Sequence, residues 1–157
     1  MSKGIGQSVK YPSARLKGMQ EFMEFVREPS WKPSELDIKL FKKLGMAKGR
    51  EGSAIQTLRF MGIVDDDGAP TIEFDNLKKN YQPTLKRLVQ EKYSDLLNLL
   101  PLSKANQLRL VSYFGDPVET AEYQAKLFVW FCEQSGIELP NVEKKFHRAR
   151  FDKKKTE

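Results

Sequence analysis

The chain has 157 residues, 39% of them hydrophobic and 31% charged, with a formal net charge of +6 and a pI near 9.3; such values exclude wholesale disorder and fit one domain with a sizeable core. No apolar run approaches the roughly 20 residues needed to cross a bilayer. The N-terminus carries no apolar core of a signal peptide, so the expectation is a cytoplasmic protein with no membrane partner.

The basic balance favours an anionic partner, nucleic acid before an acidic protein surface. Its distribution weakens that inference. Lys144 to Glu157 hold seven Lys or Arg against two acids, so most of the net charge belongs to a C-terminal tail. The single cysteine, Cys132, excludes an internal disulfide and any zinc site of several thiolates, and its apolar neighbours read as a buried structural thiol.

In chain order, residues 1–10 read as a loose arm. Tyr11-Pro12-Ser13 is a helix entry with Ser13 as its cap. From Leu16 to Arg27 the residues Leu16, Met19, Met23 and Val26 form one apolar stripe, widened by Phe22 and Phe25. Pro29 and Pro33 stop this helix and bracket Trp31, which is expected to staple it to the next. A second helix is expected from a Ser34 cap, with Leu36, Leu40, Phe41 and Leu44 inward.

Gly45 and Gly49 interrupt the period, and a third helix, Glu51 to Met61, turns Ala54, Ile55, Leu58 and Met61 inward. Gly62-Ile63-Val64, a turn at Asp67-Gly68 and Thr71-Ile72-Glu73-Phe74 then read as a small β-hairpin. Asp75 to Tyr81 is polar and reads as a short helical turn or a connector. From Pro83 the apolar period of Leu85, Leu88, Val89, Tyr93, Leu96, Leu97 and Leu100 predicts the longest helix of the chain. Pro101 ends it, Ser103 is expected to cap a helix burying Leu108, Val111 and Phe114, and Asp116-Pro117-Val118-Glu119 starts another. That last helix closes at Gly136 and, being apolar throughout Leu127 to Cys132, is expected at the centre of the second half.

Helix, turn, helix and hairpin is the order of a winged helix. The passage from Tyr113-Phe114-Gly115 to Gly136-Ile137 echoes it without a hairpin. The expected fold is therefore mainly α: two winged-helix-like lobes, 11–81 with the hairpin and 82–142 degenerate and packed on the first, between the arm at 1–10 and a basic tail at 143–157.

No catalytic constellation emerges. The single histidine, His147, lies in the tail, so no His-based triad or metal cluster can be built in the globular part, and no glycine-rich phosphate loop is present. Asp65-Asp66-Asp67-Gly68 crowds carboxylates at a turn but lacks the alternating ligands of a calcium loop. The expectation is a protein without enzymatic activity, cofactor or metal.

If Glu51 to Met61 is a recognition helix, Ser53, Gln56, Thr57 and Arg59 face outward, with Lys48 and Arg50 at its mouth. Gln and Arg pair with base edges, and basic residues hold phosphate. In the tail, Lys144, Lys145, Arg148 and Arg150 would add phosphate contacts. The leading expectation is a regulator binding double-stranded DNA, as a monomer or a homodimer. The alternative is a protein adaptor, with Phe60 and the acidic tip Asp65, Asp66 and Asp67 as contact features.

The run from Ala54 to Thr71, above all Leu58-Arg-Phe-Met-Gly-Ile-Val-Asp-Asp-Asp-Gly-Ala-Pro-Thr71, resembles a pattern in an uncharacterised family of prokaryotic proteins. There a helix ends in Leu-Arg-Phe-Leu-Gly-Leu-Ile, followed by an acidic turn and Pro-Thr. Thr120 to Ser135, closing at Gly136-Ile137, is similar to a second landmark of that family, so the likeness spans Tyr11 to Leu139. Met61 stands where leucine is usual, a swap that conserves volume. The resemblance implies a helical protein with winged-helix-like segments and brings no catalytic residues with it.

Overall fold

The computed structural model describes residues 11–115, 117–143 and 146. The arm at 1–10, the expected cap Asp116 and the tail residues Lys144, Lys145, Arg148 and Arg150 lie outside the described residues. Eight α-helices are described: α1 Leu16–Val26, α2 Ile38–Leu44, α3 Glu51–Phe60, α4 Ile72–Lys79, α5 Tyr81–Lys92, α6 Ser94–Leu99, α7 Gln107–Phe114 and α8 Val118–Ser135. A 3-10 turn at Leu102–Lys104 precedes α7. Among the described residues no helix is long and apolar enough to cross a membrane.

The expected hairpin does not form, and the described residues contain no strand. Its first arm survives as one antiparallel bridge, Val64 to Pro70. The second arm is helix α4. Thr71 accepts from the Glu73 amide through its hydroxyl oxygen, and Glu73 and Asp75 place acids in the first turn, where the helix dipole favours them. Ile72 and Phe74 alternate as a strand would, but the buried pair is Phe74 and Leu77, three residues apart, and Ile72 is 66% exposed.

Three expected caps also move. No side chain caps α1, whose N-cap residue is Arg15 rather than Ser13. Ser34 gives way to Asp37, which accepts from the Leu40 amide at 2.9 Å. The reason is tertiary: Leu36 is buried in an extended segment that donates its N–H to the Gly68 carbonyl at 2.7 Å, so the helix cannot begin earlier. Ser103 falls in the 3-10 turn, and Asn106 caps α7 by accepting from Arg109. With that start the buried residue of α7 is Leu110, while Leu108 is left exposed. Leu44, expected inward, is likewise exposed, and Met46 and Ala47 of the following turn are buried instead.

The expected long helix is two, α5 and α6, broken at Tyr93. This break sets Tyr93 wholly inside, stacked on Tyr11 at 5.4 Å and packed near Phe60, Phe128 and Phe131. Helix α8 packs against α5 and α7, and every residue from Ala125 to Cys132 is buried. It ends, as expected, at Gly136, whose φ of +81° is the left-handed conformation of a helix stop. Cys132 lies in this core, and burial pushes its thiol well up.

Trp31 does staple helices, though not the expected pair. Its ring meets Phe22 and Phe25 of α1 and Phe74 of α4. Lys78 of α4 completes the joint by donating to the carbonyls of Val26 and Glu28, at 2.9 and 2.7 Å, which satisfies acceptors at the end of α1. One hydrophobic core thus runs through both halves of the chain.

Candidate nucleic-acid interface

Helices α2 and α3 pack together across the turn at residues 45–50, which is held in an unusual backbone conformation. Gly45, Ala47 and Gly49 all have positive φ, at 72°, 50° and 80°. For alanine that conformation is strained. It is held because the Ala47 amide donates to Glu21 of α1 at 2.9 Å and the Met46 amide donates to the Phe41 carbonyl. The same turn presses against α1 at Gly18, where no side chain would fit: a Cβ there would lie 2.7 Å from the Ala47 Cβ.

From this scaffold the exposed residues of α3 are Gly52, Gln56 and Arg59, spaced four and three apart and therefore on one stripe. Ser53 is half-buried at its edge. Lys48 and Arg50 stand exposed in the turn just before the helix. Neither they nor Arg59 form an ion pair with another described residue.

Thr57 does not belong to this surface. It is buried, and its hydroxyl donates back to the Ser53 carbonyl at 2.9 Å, one turn earlier in the helix. The helical angle carries residue 57 round to the Ala54–Leu58 side, away from Gln56. Phe60 is half-buried, its ring 5.8 Å from Tyr11 and 5.3 Å from Tyr93, so most of it is spent on internal packing.

Glu51 puts a negative charge at the mouth of α3; its carboxylate is turned onto the backbone and accepts from the Gly49 amide at 3.2 Å. Hydrogen bonds from its own amide and that of Gly49 hold the carboxyl below its usual range. At the acidic tip Asp65 is similarly occupied, accepting from the amides of Asp67 and Ala69 at 2.9 Å each. Asp65, Asp66 and Asp67 are all exposed.

Behind the turn lies a cleft of about 320 Å³, between the start of α1 and the turn itself. Arg15, Lys17, Lys48 and Arg50 line it, with Glu21 as the acid among the lining residues. The Arg15 guanidinium is seated 3.5 Å above the Tyr123 ring of α8. Lys48 and Arg50 are legible as candidates from their place before a helix, whereas Arg15 and Lys17 fall on an ordinary charged helix entry. The available signal was Gly18, a glycine inside a helical pattern, which marks close approach of another backbone.

No curated protein and no solved structure matches the chain. A family model of unknown function, DUF5343, matches residues 14–115, which take in α1 to α7 and the whole α2–α3 turn. The matched stretch stops before α8, short of the Leu139 to which the resemblance extends in sequence. Because the match covers more than half of the chain, the protein belongs to this family of unknown function.

Proposed function

We propose that this protein binds double-stranded nucleic acid, DNA in the first place, through the exposed stripe of α3, as a non-enzymatic cytoplasmic regulator of winged-helix type. The observation that carries the reading is the set Lys48, Arg50, Gln56 and Arg59. All four are exposed around one helix and its preceding turn, and the three cations have no ion-pair partner among the described residues. In this reading α2, the turn and α3 are the helix-turn-helix, Gln56 and Arg59 meet base edges, and Lys48 and Arg50 meet phosphate. The Val64–Pro70 bridge is a shortened wing, and the second half is a lobe of related plan. Lys144, Lys145, Arg148 and Arg150 would add contacts that raise affinity without sequence preference.

The test is binding to random duplex DNA across a salt series, comparing the full chain with Arg59→Glu and with a chain ending at Pro140. The expected result is affinity that falls steeply with salt, survives truncation and drops at least tenfold in Arg59→Glu while the circular dichroism spectrum is unchanged. Absence of binding at low salt in all three proteins overturns the proposal. The adaptor reading then takes its place. It retains Asp65, Asp66 and Asp67 as exposed contacts but loses its aromatic anchor, since Phe60 packs on Tyr11 and Tyr93.

A further inference from the structure

We infer that the cleft between α1 and the α2–α3 turn seats a backbone phosphate of the strand lying on α3, with Lys17 and Arg15 as contacts beyond the recognition helix. The inference rests on the interface reading above and deepens it.

Four cations, Arg15, Lys17, Lys48 and Arg50, line one concave site of about 320 Å³. Like charges gathered there repel, and an anion relieves that repulsion. Glu21, the one acid in the lining, keeps its charge while accepting from the Ala47 amide at 2.9 Å, and so offsets one cation and leaves the lining basic. Lys17, Lys48 and Arg50 have no ion pair with a described residue. Arg15 is held at the wall by the Tyr123 ring, so its position is set before any ligand arrives.

Shape supports the same conclusion. The volume corresponds to roughly ten water molecules at ~30 Å³ each, room for one phosphodiester with part of its hydration shell. One wall of the cleft includes a non-glycine residue in a left-handed conformation, Ala47 at φ 50°, pinned by Glu21 and pressed on Gly18. Backbone strain retained in this way is concentrated where a fixed shape is used. The cleft shares Lys48 and Arg50 with the proposed reading surface, so a strand contacting α3 passes its opening.

The experiment is the salt dependence of duplex DNA affinity for the full chain and for Lys17→Gln, with Lys104→Gln, outside the cleft, as control. Loss of one phosphate contact lowers the slope of log affinity against log salt by about 0.9. The expected result is that drop in Lys17→Gln, little or none in Lys104→Gln, and the same melting temperature for all three. Binding that is lost in Arg59→Glu but has the same slope in Lys17→Gln as in Lys104→Gln overturns the cleft and leaves the interface standing.

If the full chain binds no DNA, the interface reading falls. Titration with inorganic phosphate, followed by the amide resonances of Lys17, Ala47 and Arg50, then decides the cleft. Shifts that vanish in Lys17→Gln replace the strand phosphate by a free one, and no shifts overturn the site altogether.

Discussion

Gly18 of α1 and Ala47 of the α2–α3 turn meet so closely that a Cβ on Gly18 would stand 2.7 Å from the Ala47 Cβ. This contact joins the first helix to the turn that carries Lys48 and Arg50, and Ala47 reaches it with φ at 50°. Gly18→Ala is expected to destabilise the fold by about 1–3 kcal/mol, the usual cost of overpacking. Adding Ala47→Gly removes the opposing methyl and the backbone strain together. The double mutant should therefore regain most of the loss, a coupling readable in a double-mutant cycle of urea midpoints. Additive losses would show that the two residues do not share one constraint.

Tyr93 supplies a second prediction. It is wholly buried and its hydroxyl has no hydrogen-bond partner among the described residues. An unpaired buried hydroxyl costs about 1–3 kcal/mol, so Tyr93→Phe should raise stability by about 1 kcal/mol at neutral pH. Burial, with smaller contributions from Cys132 and Tyr11, pushes this phenol well above its ordinary 10.0. The folded state therefore keeps its proton where the unfolded chain loses it. The resulting contribution is fully present below pH 10.0 and is lost as pH rises further, because ionisation then favours the unfolded chain. Alkaline melts of Tyr93→Phe should fall less steeply than those of the natural sequence.

An acid-side counterpart lies between α4 and α5. Arg87 pairs with Glu73 and also with Glu91, and its hydrogen bond holds the Glu73 carboxyl below the ordinary 4.5. Since the Arg87 side chain is 43% exposed, solvent screening limits the pair to about 0.5–1 kcal/mol. That contribution is present above pH 4.5 and is lost as pH falls through the lowered folded-state value. Urea midpoints of Arg87→Ala should lie below those of the natural sequence at neutral pH and converge with them in acid. A constant difference at every pH would assign the loss to packing instead.

Helix α8 stands outside the stretch matched by the family model, yet it supplies Leu127, Phe128, Val129, Trp130 and Phe131 to the core. Removing them withdraws on the order of 10 kcal/mol of apolar burial, comparable with the whole stability of a domain, about 5–15 kcal/mol. A chain ending at Gly115 should show no cooperative thermal transition. A sharp transition in that fragment would mean that the matched stretch closes its own core.

Gly52 provides a test of the α3 surface that separates stability from binding. It is an exposed helical glycine, and a Cβ there meets nothing within 4 Å. Gly52→Ala should add about 0.5–1 kcal/mol through lower backbone entropy in the unfolded chain. A rise in melting temperature accompanied by weaker DNA binding would mark this glycine as a point of close approach.

Local pattern alone determined much of this protein. The apolar stripes of α1 and α3, the fully apolar face of α8 and the glycine stop at Gly136 all follow from spacing and backbone preference, which act within a few residues. The exposure of Gln56 and Arg59 was legible for the same reason. Thr57 was misplaced because its neighbour Gln56 is outward and only the helix rotation separates them.

What the tertiary structure decided lies where a distant contact outweighs a local preference. Leu36 is buried by its bond to Gly68, which moved the start of α2. Thr71 capped a helix where Ile72 and Phe74 alternate like a strand, because Phe74 packs on Trp31. Tyr93 broke a continuous helical period to enter the cluster of Tyr11, Phe60 and Phe128. The cleft of Arg15, Lys17, Lys48 and Arg50 could not be read from the chain, since its two walls are about thirty residues apart and meet only where Gly18 admits Ala47.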